Sequence, residues 1–355
     1  MAEHIESPGR TLQLHAKVCA RARAELDRQR EDIRQRTPGN SRGLAREPAR
    51  SPEAQAPVEE AILRTLLYFD IWNHPLTLEE IFAFLPVAAS SPASLREPLE
   101  RLREKGYIVV DGDHVAVYRP EVPRENHRPG KERRALLMWK MARVVTSLIK
   151  MFPYVRAVWV SGELSKNIAS PHADIDFFIV TEARRLWIAR SMLILFKKIF
   201  LFNSRKFFCV NLFIDNHCLE FSKRNIYQAI EIASVKPLYN GRLFLEYLRA
   251  NAWVWSYFPN AHPESLNRGK VSERRSLVQR VLESLIARFN PDALDDRLMW
   301  FMRSAWKKRY PSMDDQTRDR ILRSTKGESR AYLGDFEERV LAAYRRNLRD
   351  YHLAG

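Results

Sequence analysis

Two aspartates spaced two residues apart, Asp174 and Asp176, are the residues of this 355-residue chain best suited to chemistry. They lie in the segment 158–180, VWVSGELSKNIASPHADIDFFIV, where a turn of small residues separates two apolar, β-rich runs. Residues two apart on a strand project from the same face, and two carboxylates held that close repel unless a cation lies between them. A magnesium ion carrying nucleotide phosphates suits such a pair, because it prefers oxygen ligands and keeps positions open for substrate oxygens.

The first apolar run, 155–161, ends at Gly162, where the backbone can turn and approach a phosphate group. This predicts a nucleotide cradle beside the two aspartates. The arrangement resembles the DNA polymerase β-like nucleotidyltransferase superfamily, whose signature is an apolar strand, a Gly-Ser turn that opens a helix, a short gap, and Asp-x-Asp flanked by apolar residues. Here the turn reads SGELSK over 161–166, and the Asp-Ile-Asp run follows it.

The chain departs from this family at Glu163, where the family has a serine directly after the glycine. A carboxylate at this position would lie near a bound triphosphate unless it points away or joins the metal site. The resemblance implies that Gly162 and its neighbouring backbone cradle the triphosphate. It also implies that Ser161 or Ser165 supplies the missing hydroxyl and that Lys166 offsets the charge.

The resemblance further implies a third carboxylate on a later strand, where it would complete the metal site and activate the attacking hydroxyl. The run 206–215, KFFCVNLFID, is rich in β-branched and aromatic residues and predicts that strand. Asn211 at its centre could orient a hydroxyl but could not act as a base, whereas Asp215 or Glu220 would complete the set. Alternation does not choose between Asn211 and Asp215, because both share a face with Cys209. A buried amide bonded to backbone is the structural alternative for Asn211.

The resemblance implies transfer of a nucleotidyl group from a nucleoside triphosphate to an acceptor hydroxyl, with Asp174 and Asp176 holding Mg²⁺ and Asn211 or Asp215 facing the attacking group. The alternative is a protein of the same fold that has lost this chemistry and serves as a nucleic-acid-binding or regulatory module. Glu163 and Asn211 favour the alternative, because neither matches the family pattern.

The N-terminal third predicts an extension followed by a small helical domain. Residues 1–57 are rich in Arg, Glu, Pro and Ser and predict a charged, mostly disordered extension. Residues 58–120 predict three helices and then a hairpin around the Asp-Gly-Asp turn at 111–113. This order resembles a winged helix-turn-helix, whose third helix would enter the major groove of DNA. The arginines on that helix are Arg96, Arg101 and Arg103. Glutamates lie between them and weaken the positive field of the helix, so docking of a protein is the alternative to DNA binding.

The rest of the chain predicts an α+β nucleotidyltransferase-like domain, 131–260, and a basic helical region, 261–355. The expected elements are helix 131–152, a strand ending at 180, helix 184–202, strand 207–214 and a helical stretch 227–258. The first of these helices should bury the stripe Leu136, Leu137, Met141, Val144, Val145 and Leu148. We therefore expect a mixed sheet with flanking helices. The runs 184–190 and 247–260 also resemble bacterial winged-helix nucleotidyltransferases, so the resemblance spans 60–260.

Composition limits the setting of the protein. A net charge of +16 makes nucleic acid, nucleotides or phospholipid surfaces suitable partners. The cysteines, Cys19, Cys209 and Cys218, have neither metal-binding spacing nor a disulfide pattern. The apolar run 186–202 is interrupted by charges, and the N-terminus lacks the layout of a signal peptide. We therefore expect a cytoplasmic protein with no membrane span and no membrane partner.

Overall fold

The computed structural model has a mixed α+β fold. It describes residues 58–119, 128–201, 206–261, 271–315, 324–330 and 336–353. The predicted extension 1–57 and most of the linker 121–130 lie outside these residues. No helix in the described ranges is long and apolar enough to cross a membrane.

The strands, in chain order, are β1 (Ile108–Asp111), β2 (His114–Val117), β3 (Val155–Val160), β4 (Asp176–Thr181), β5 (Cys209–Asp215), β6 (Lys236–Tyr239) and β7 (Glu328–Arg330). The helices are α1 (Val58–Phe69), α2 (Leu78–Ala83), α3 (Arg96–Glu104), α4 (Arg128–Ile149), α5 (Gly162–Ser165), α6 (Leu186–Phe200), α7 (Ile226–Ser234), α8 (Gly241–Ala250), α9 (Leu277–Ile286), α10 (Pro291–Arg309) and α11 (Phe336–Asp350). Short 3₁₀ turns follow α1, precede α3 and follow α8.

A five-stranded mixed sheet with the order β6-β3-β4-β5-β7 forms the centre of the fold. Strands β4 and β5 are parallel and are joined through α6, whereas the other neighbouring pairs are antiparallel. Strands β3 and β4 are buried on both faces, and this burial explains why they read as nearly continuous apolar runs. The antiparallel pairing places the end of β3 beside the start of β4.

Hydrophobic cores lie on both faces of the sheet. On one face, Trp159 packs against Phe178 of the sheet and Phe244 and Tyr247 of α8, with ring centroids 4.8–5.4 Å apart. On the other face, residues of α4, α6 and α10 pack around β3, β4 and β5. Trp187 of α6 joins this second core and makes an edge contact with Trp306 of α10. The sheet is therefore covered by helices on both sides, which fixes the polar residues of the site at its strand ends.

The N-terminal helices and hairpin form as predicted, and they share a core with the rest of the chain. Helix α2 begins with a capping box between Thr77 and Glu80, and β1 pairs with β2. Buried residues of α1 to β2 belong to the same hydrophobic cluster as those of α7, α8 and α11. Asn260 reinforces this contact by accepting from Ala89 N (2.9 Å) and donating to Val87 O (2.8 Å). Residues on both sides of the predicted boundary near residue 120 therefore pack into one hydrophobic core.

Helix α4 packs on the sheet with a face different from the predicted one. The stripe expected to be buried is largely exposed at Leu136, Leu137, Met141 and Val144, and only Val145 and Leu148 are half-buried. The helix instead buries Ala135, Met138, Ala142, Thr146 and Ile149. Small residues allow close approach to the sheet, and they contribute little to an apolar pattern read from the sequence.

Each of the two C-terminal regions predicted to be helical contains a short strand. The stretch 227–258 is interrupted by β6, which pairs with β3 at one edge of the sheet and contains Pro237, a residue that edge strands tolerate. The region 261–355 contributes β7, which pairs with β5 at the other edge. Helices α9 and α10 lie against the second core, whereas α11 packs in the first. The C-terminal region is therefore part of the sheet and of both cores.

Candidate active site

The two aspartates lie where the start of β4 meets β5. Asp176 is the first residue of β4, whereas Asp174 lies in the preceding loop and not on the strand that the spacing predicts. Hydrogen bonds from Ile175 N to Lys206 O (3.1 Å) and from Cys209 N to Ile175 O (3.3 Å) hold this loop beside β5. One carboxylate oxygen of each aspartate and the Cys209 sulfur lie within 4.8 Å of one another. The structure therefore brings the two carboxylates together and adds a thiol.

Gly162 lies directly against Asp176. Strand β3 ends at Val160, and Ser161 N donates to Asp176 O (3.0 Å). Gly162 follows with φ +68°, and a Cβ built there would lie 2.5 Å from Asp176 Oδ2. Glycine is required here for two reasons, because the conformation is left-handed and the carboxylate fills the space that a side chain would need. The predicted meeting of the glycine turn with the Asp pair is present in the structure.

The Glu163 side chain points toward the loop that leads to the aspartates. Its carboxylate accepts from Ser170 N (2.7 Å) and from Ser170 Oγ (3.0 Å). The side chain therefore points away from the position expected for a triphosphate, which is one of the arrangements compatible with the sequence. Glu163 still lies on the wall of the adjacent cavity, but its charge is partly satisfied by these two donors.

The remaining residues of the turn are engaged with the protein itself. Ser165 is buried, and its hydroxyl donates to Gly162 O (2.8 Å), so it is not placed to bind a phosphate. Lys166 Nζ donates to Glu231 Oε1 (2.9 Å) of α7 and does not pair with Glu163. Ser161 is half-exposed and lines the cavity, and its hydroxyl donates a long hydrogen bond to Asp176 O (3.5 Å).

The charges of Asp174 and Asp176 favour the binding of a proton or a cation between the two carboxylates. Burial, followed by repulsion from Asp174, raises the pKa of Asp176 to about 7, and a hydrogen bond with Cys209 partly opposes this rise. Burial and a hydrogen bond to Asp174 raise the pKa of the Cys209 thiol far above its usual range. At neutral pH the site therefore combines a protonated thiol with a carboxylate that ionises with difficulty unless positive charge is supplied.

Asp215 and Glu220 do not complete the site. The strand register pairs Asp176 with Cys209 and pairs Thr181 with Asp215, so Asp215 lies at the opposite end of β5, about 17 Å away at about 3.3 Å per residue. Its carboxylate accepts from His217 N (2.9 Å). Glu220 lies beyond β5 and pairs with Arg224. Neither carboxylate can contact a cation held between Asp174 and Asp176, so the expectation for Asp215 is corrected by the parallel register.

Asn211 lies in β5 where the register against β4 shifts, between Val210 and Leu212. Its side chain falls outside the described part of the structure, so both interpretations of this residue stay predictions. Cys209, two residues earlier, is the β5 residue paired with Asp176. Sequence reasoning placed Cys209 on the same face but gave it no role, because only the register of β5 identifies it as the neighbour of the aspartates.

A cavity of about 640 Å³ opens beside Asp176 and the glycine turn. Its polar wall is formed by His74, Lys131, Ser161, Gly162, Glu163, Lys166, Ser170, Asp176, Gln228, Glu231 and Arg339. Its apolar wall is formed by Phe69, Trp72, Ile168, Phe177, Phe178, Leu212, Phe221, Tyr227, Ile232, Val235, Tyr247 and Phe336. The N-terminal helices, the sheet, α7 and α11 all contribute to it. A cavity of this volume, apolar with a few convergent polar groups, is typical of a small-molecule site.

His74 gives the cavity a neutral imidazole. The residue is buried, and its Nδ1 has no hydrogen-bond partner within the described ranges. Burial, and then the positive charges of Arg128 and Lys131, hold the pKa of His74 well below its usual range. A neutral imidazole on the wall can accept a hydrogen bond from a bound molecule, whereas its low pKa makes it a weak proton acceptor.

Comparison with known proteins identified no relative: no family model, no curated protein and no solved structure matches the chain.

Proposed function

We propose that this chain is a magnesium-dependent nucleotidyltransferase that moves a nucleotidyl group from a nucleoside triphosphate to an acceptor hydroxyl. The observation that carries the proposal is the contact between Gly162 and Asp176 at the wall of the 640 Å³ cavity, with the Asp174 carboxylate beside Asp176. A backbone turn without a side chain, two adjacent carboxylates and a large open cavity are the parts that metal-assisted phosphoryl transfer requires.

The residues present fit a magnesium ion. Asp174 and Asp176 offer carboxylate oxygens, which Mg²⁺ prefers, and the raised pKa of Asp176 shows that burial and the neighbouring carboxylate favour added positive charge at the pair. The Cys209 thiol stays protonated and would be a poor ligand for so hard a cation. Bound there, Mg²⁺ would neutralise the phosphate charge and polarise the group that is transferred.

The cavity offers places for the rest of a nucleotide and for an acceptor. Lys131 supplies positive charge to the cavity wall. The half-exposed Ser161 would exchange its long hydrogen bond to Asp176 O (3.5 Å) for one to a phosphate oxygen. The aromatic wall, including Trp72 and Tyr227, suits stacking by a planar base. We assign His74 as a hydrogen-bond acceptor for a bound molecule and not as the base, because burial and nearby cations hold its pKa well below its usual range. No third carboxylate joins the pair within the described residues.

We propose further that residues 58–117 form a winged helix that binds protein and not DNA. Arg101 of α3 pairs with Glu59 and Glu97 at 2.6 Å each, and Arg103 pairs with Glu100. These ion pairs neutralise the helix that would have to approach phosphates, so its field attracts nucleic acid weakly.

A second candidate function is that of a regulatory module with the same fold and without the chemistry. Cys209 favours this candidate. It is the β5 residue that pairs with Asp176 of β4, and a thiol at this position cannot replace a carboxylate as a magnesium ligand. This candidate predicts that triphosphates bind without dependence on Mg²⁺, or do not bind.

Calorimetry separates the two candidates. We expect the full chain to bind at least one of ATP, CTP, GTP and UTP in the presence of Mg²⁺ and to lose that binding in EDTA or in Asp176→Asn. Asp215→Asn is the matched control, because it removes a carboxylate from the other end of β5. Incubation of the protein with the labelled triphosphate, Mg²⁺ and a cell extract would then locate the acceptor. Absence of metal-dependent binding in the unmodified chain would reject the enzyme proposal.

A further inference from the structure

Helix α9 is oriented with its polar side toward the protein and its apolar side toward solvent. Gln279 is fully buried, and its Nε2 donates to Val155 O (2.6 Å) and Phe152 O (3.0 Å). Glu283 Oε1 accepts from Tyr154 N (2.7 Å). These contacts hold α9 against the start of β3 through polar groups. Ile286 packs against the second core, and the hydrogen bonds of Gln279 and Glu283 determine which side of α9 faces the protein.

The outward side of α9 is a stripe of large apolar residues. Leu277, Val281 and Leu285 recur every fourth position, which places them on one side of the helix. Val278 and Phe289, the latter in the turn before α10, extend the exposed set. We call these five residues the α9 face. An exposed apolar face of this kind marks a surface that contacts something other than water.

The charges around the α9 face are cationic. Arg280 of α9 and Arg288, two residues beyond the helix, are exposed, and neither forms an ion pair within the part of the chain that the structure describes. The acidic residues of the two helices are instead directed inward or paired. Glu283 bonds Arg156 and Arg275, Asp292 pairs with Arg185, Asp295 accepts from Trp187 N, and Asp296 pairs with Lys326. The outward charge of this region is therefore positive.

We propose that the α9 face docks on the anionic headgroups of a lipid surface. Apolar residues flanked by arginines on one side of a helix allow shallow insertion with charge attraction, and the chain carries a net charge of +16. A second copy fits less well, because a two-fold contact through this face would bring its arginines against those of the partner. Nucleic acid also fits less well, because its phosphates offer nothing to the apolar stripe. The expectation from sequence of no membrane partner is replaced by this proposal of peripheral contact.

Vesicle co-sedimentation of the full chain tests the charge component. We expect partition onto vesicles of phosphatidylcholine mixed with phosphatidylglycerol, weaker partition at high salt, and little partition onto phosphatidylcholine alone. Arg280→Ala combined with Arg288→Ala should weaken partition roughly 25-fold, at about fivefold for each cation removed. No partition of the unmodified chain onto anionic vesicles would overturn the proposal.

A matched pair of variants tests the apolar component. Val278 and Val110 are exposed to nearly the same extent, at 48% and 47%, and Val110 lies on the hairpin strand β1. Val278→Asp should lose most of the partition, whereas Val110→Asp should keep it, and circular dichroism verifies that both fold. Equal losses in the two variants would overturn the proposal. So would a dimer that Val278→Asp dissociates in light scattering while vesicle binding is absent, a result that assigns the face to a second copy.

Discussion

Replacing Asp176 with asparagine should stabilise the metal-free protein at neutral pH. Burial and the neighbouring Asp174 raise the pKa of Asp176 from 3.8 to about 7, so the folded protein keeps a proton that the unfolded chain releases. The folded state consequently loses stability as the pH rises from about 4 to about 7, and the loss is complete above that interval. A rise of about three pKa units, at about 1.4 kcal/mol each, corresponds to about 4 kcal/mol at most. Asparagine stays neutral and does not incur this loss.

Urea unfolding in EDTA measures the effect. Between about pH 5 and about pH 8, the free energy of unfolding of the unmodified chain should fall more than that of Asp176→Asn. Excess Mg²⁺ should restore the unmodified chain at the higher pH and leave the variant unchanged, because a bound cation favours the ionised carboxylate. Asp113→Asn, which changes an exposed aspartate of the hairpin turn, should behave like the unmodified chain. The same pH dependence in Asp176→Asn and the unmodified chain would refute the reasoning.

Four further substitutions test the remaining contacts. Gly162→Ala should lower the free energy of unfolding by at least about 1–2 kcal/mol, the cost of a left-handed alanine without the clash with Asp176 Oδ2, and should abolish triphosphate binding measured by calorimetry. Glu163→Ser should weaken that binding and not tighten it, because Ser170 loses the acceptor that orders the loop. Asp215→Asn should leave binding unchanged, because this carboxylate lies at the far end of β5. Asn260→Ala should cost about 2–3 kcal/mol in urea unfolding, because it leaves buried backbone groups without partners.

Specific outcomes would contradict these expectations. Tight triphosphate binding by Gly162→Ala would mean that Asp176 can move away from the turn without consequence. Tighter binding by Glu163→Ser would show that the carboxylate repels the phosphates despite its bonds to Ser170. Loss of binding in Asp215→Asn would require the two ends of β5 to act together. An unchanged midpoint for Asn260→Ala would show that the N-terminal helices are held by apolar contacts alone.

The central part of the fold is predictable from sequence because it depends on residues that are close together along the chain. Strands β3 and β4 are buried on both faces, so their apolar runs stand out, and the glycine between them marks the turn. The spacing of Asp174 and Asp176 is enough to bring the carboxylates together, although Asp174 lies outside the strand. Antiparallel pairing of β3 with β4 then places the turn beside Asp176 without further information.

The rest of the site depends on register, which alternation does not provide. Cys209, Asn211 and Asp215 share a face by parity, and only the pairing of β5 with β4 selects Cys209 as the neighbour of Asp176. Strands β6 and β7 are four and three residues long, too short to show a period. They form because β3 and β5 have backbone N–H and C=O groups that β6 and β7 can pair with. The cavity wall includes His74 and Arg339, which no local pattern could place together.

The contact between α1 and α11 has a consequence for how this protein is made. Asn347 of α11 donates to Leu67 O of α1 (3.0 Å), across 280 residues of chain, and Tyr68 packs against Tyr344. A ribosome releases α1 long before α11 exists, so the part of α1 that packs against α11 stays exposed through most of synthesis, whereas α3 and β2 can cover the rest early. Contacts of such long sequence separation form slowly, because a large loop must close first. Newly made chains should therefore depend on chaperones until the last helix emerges.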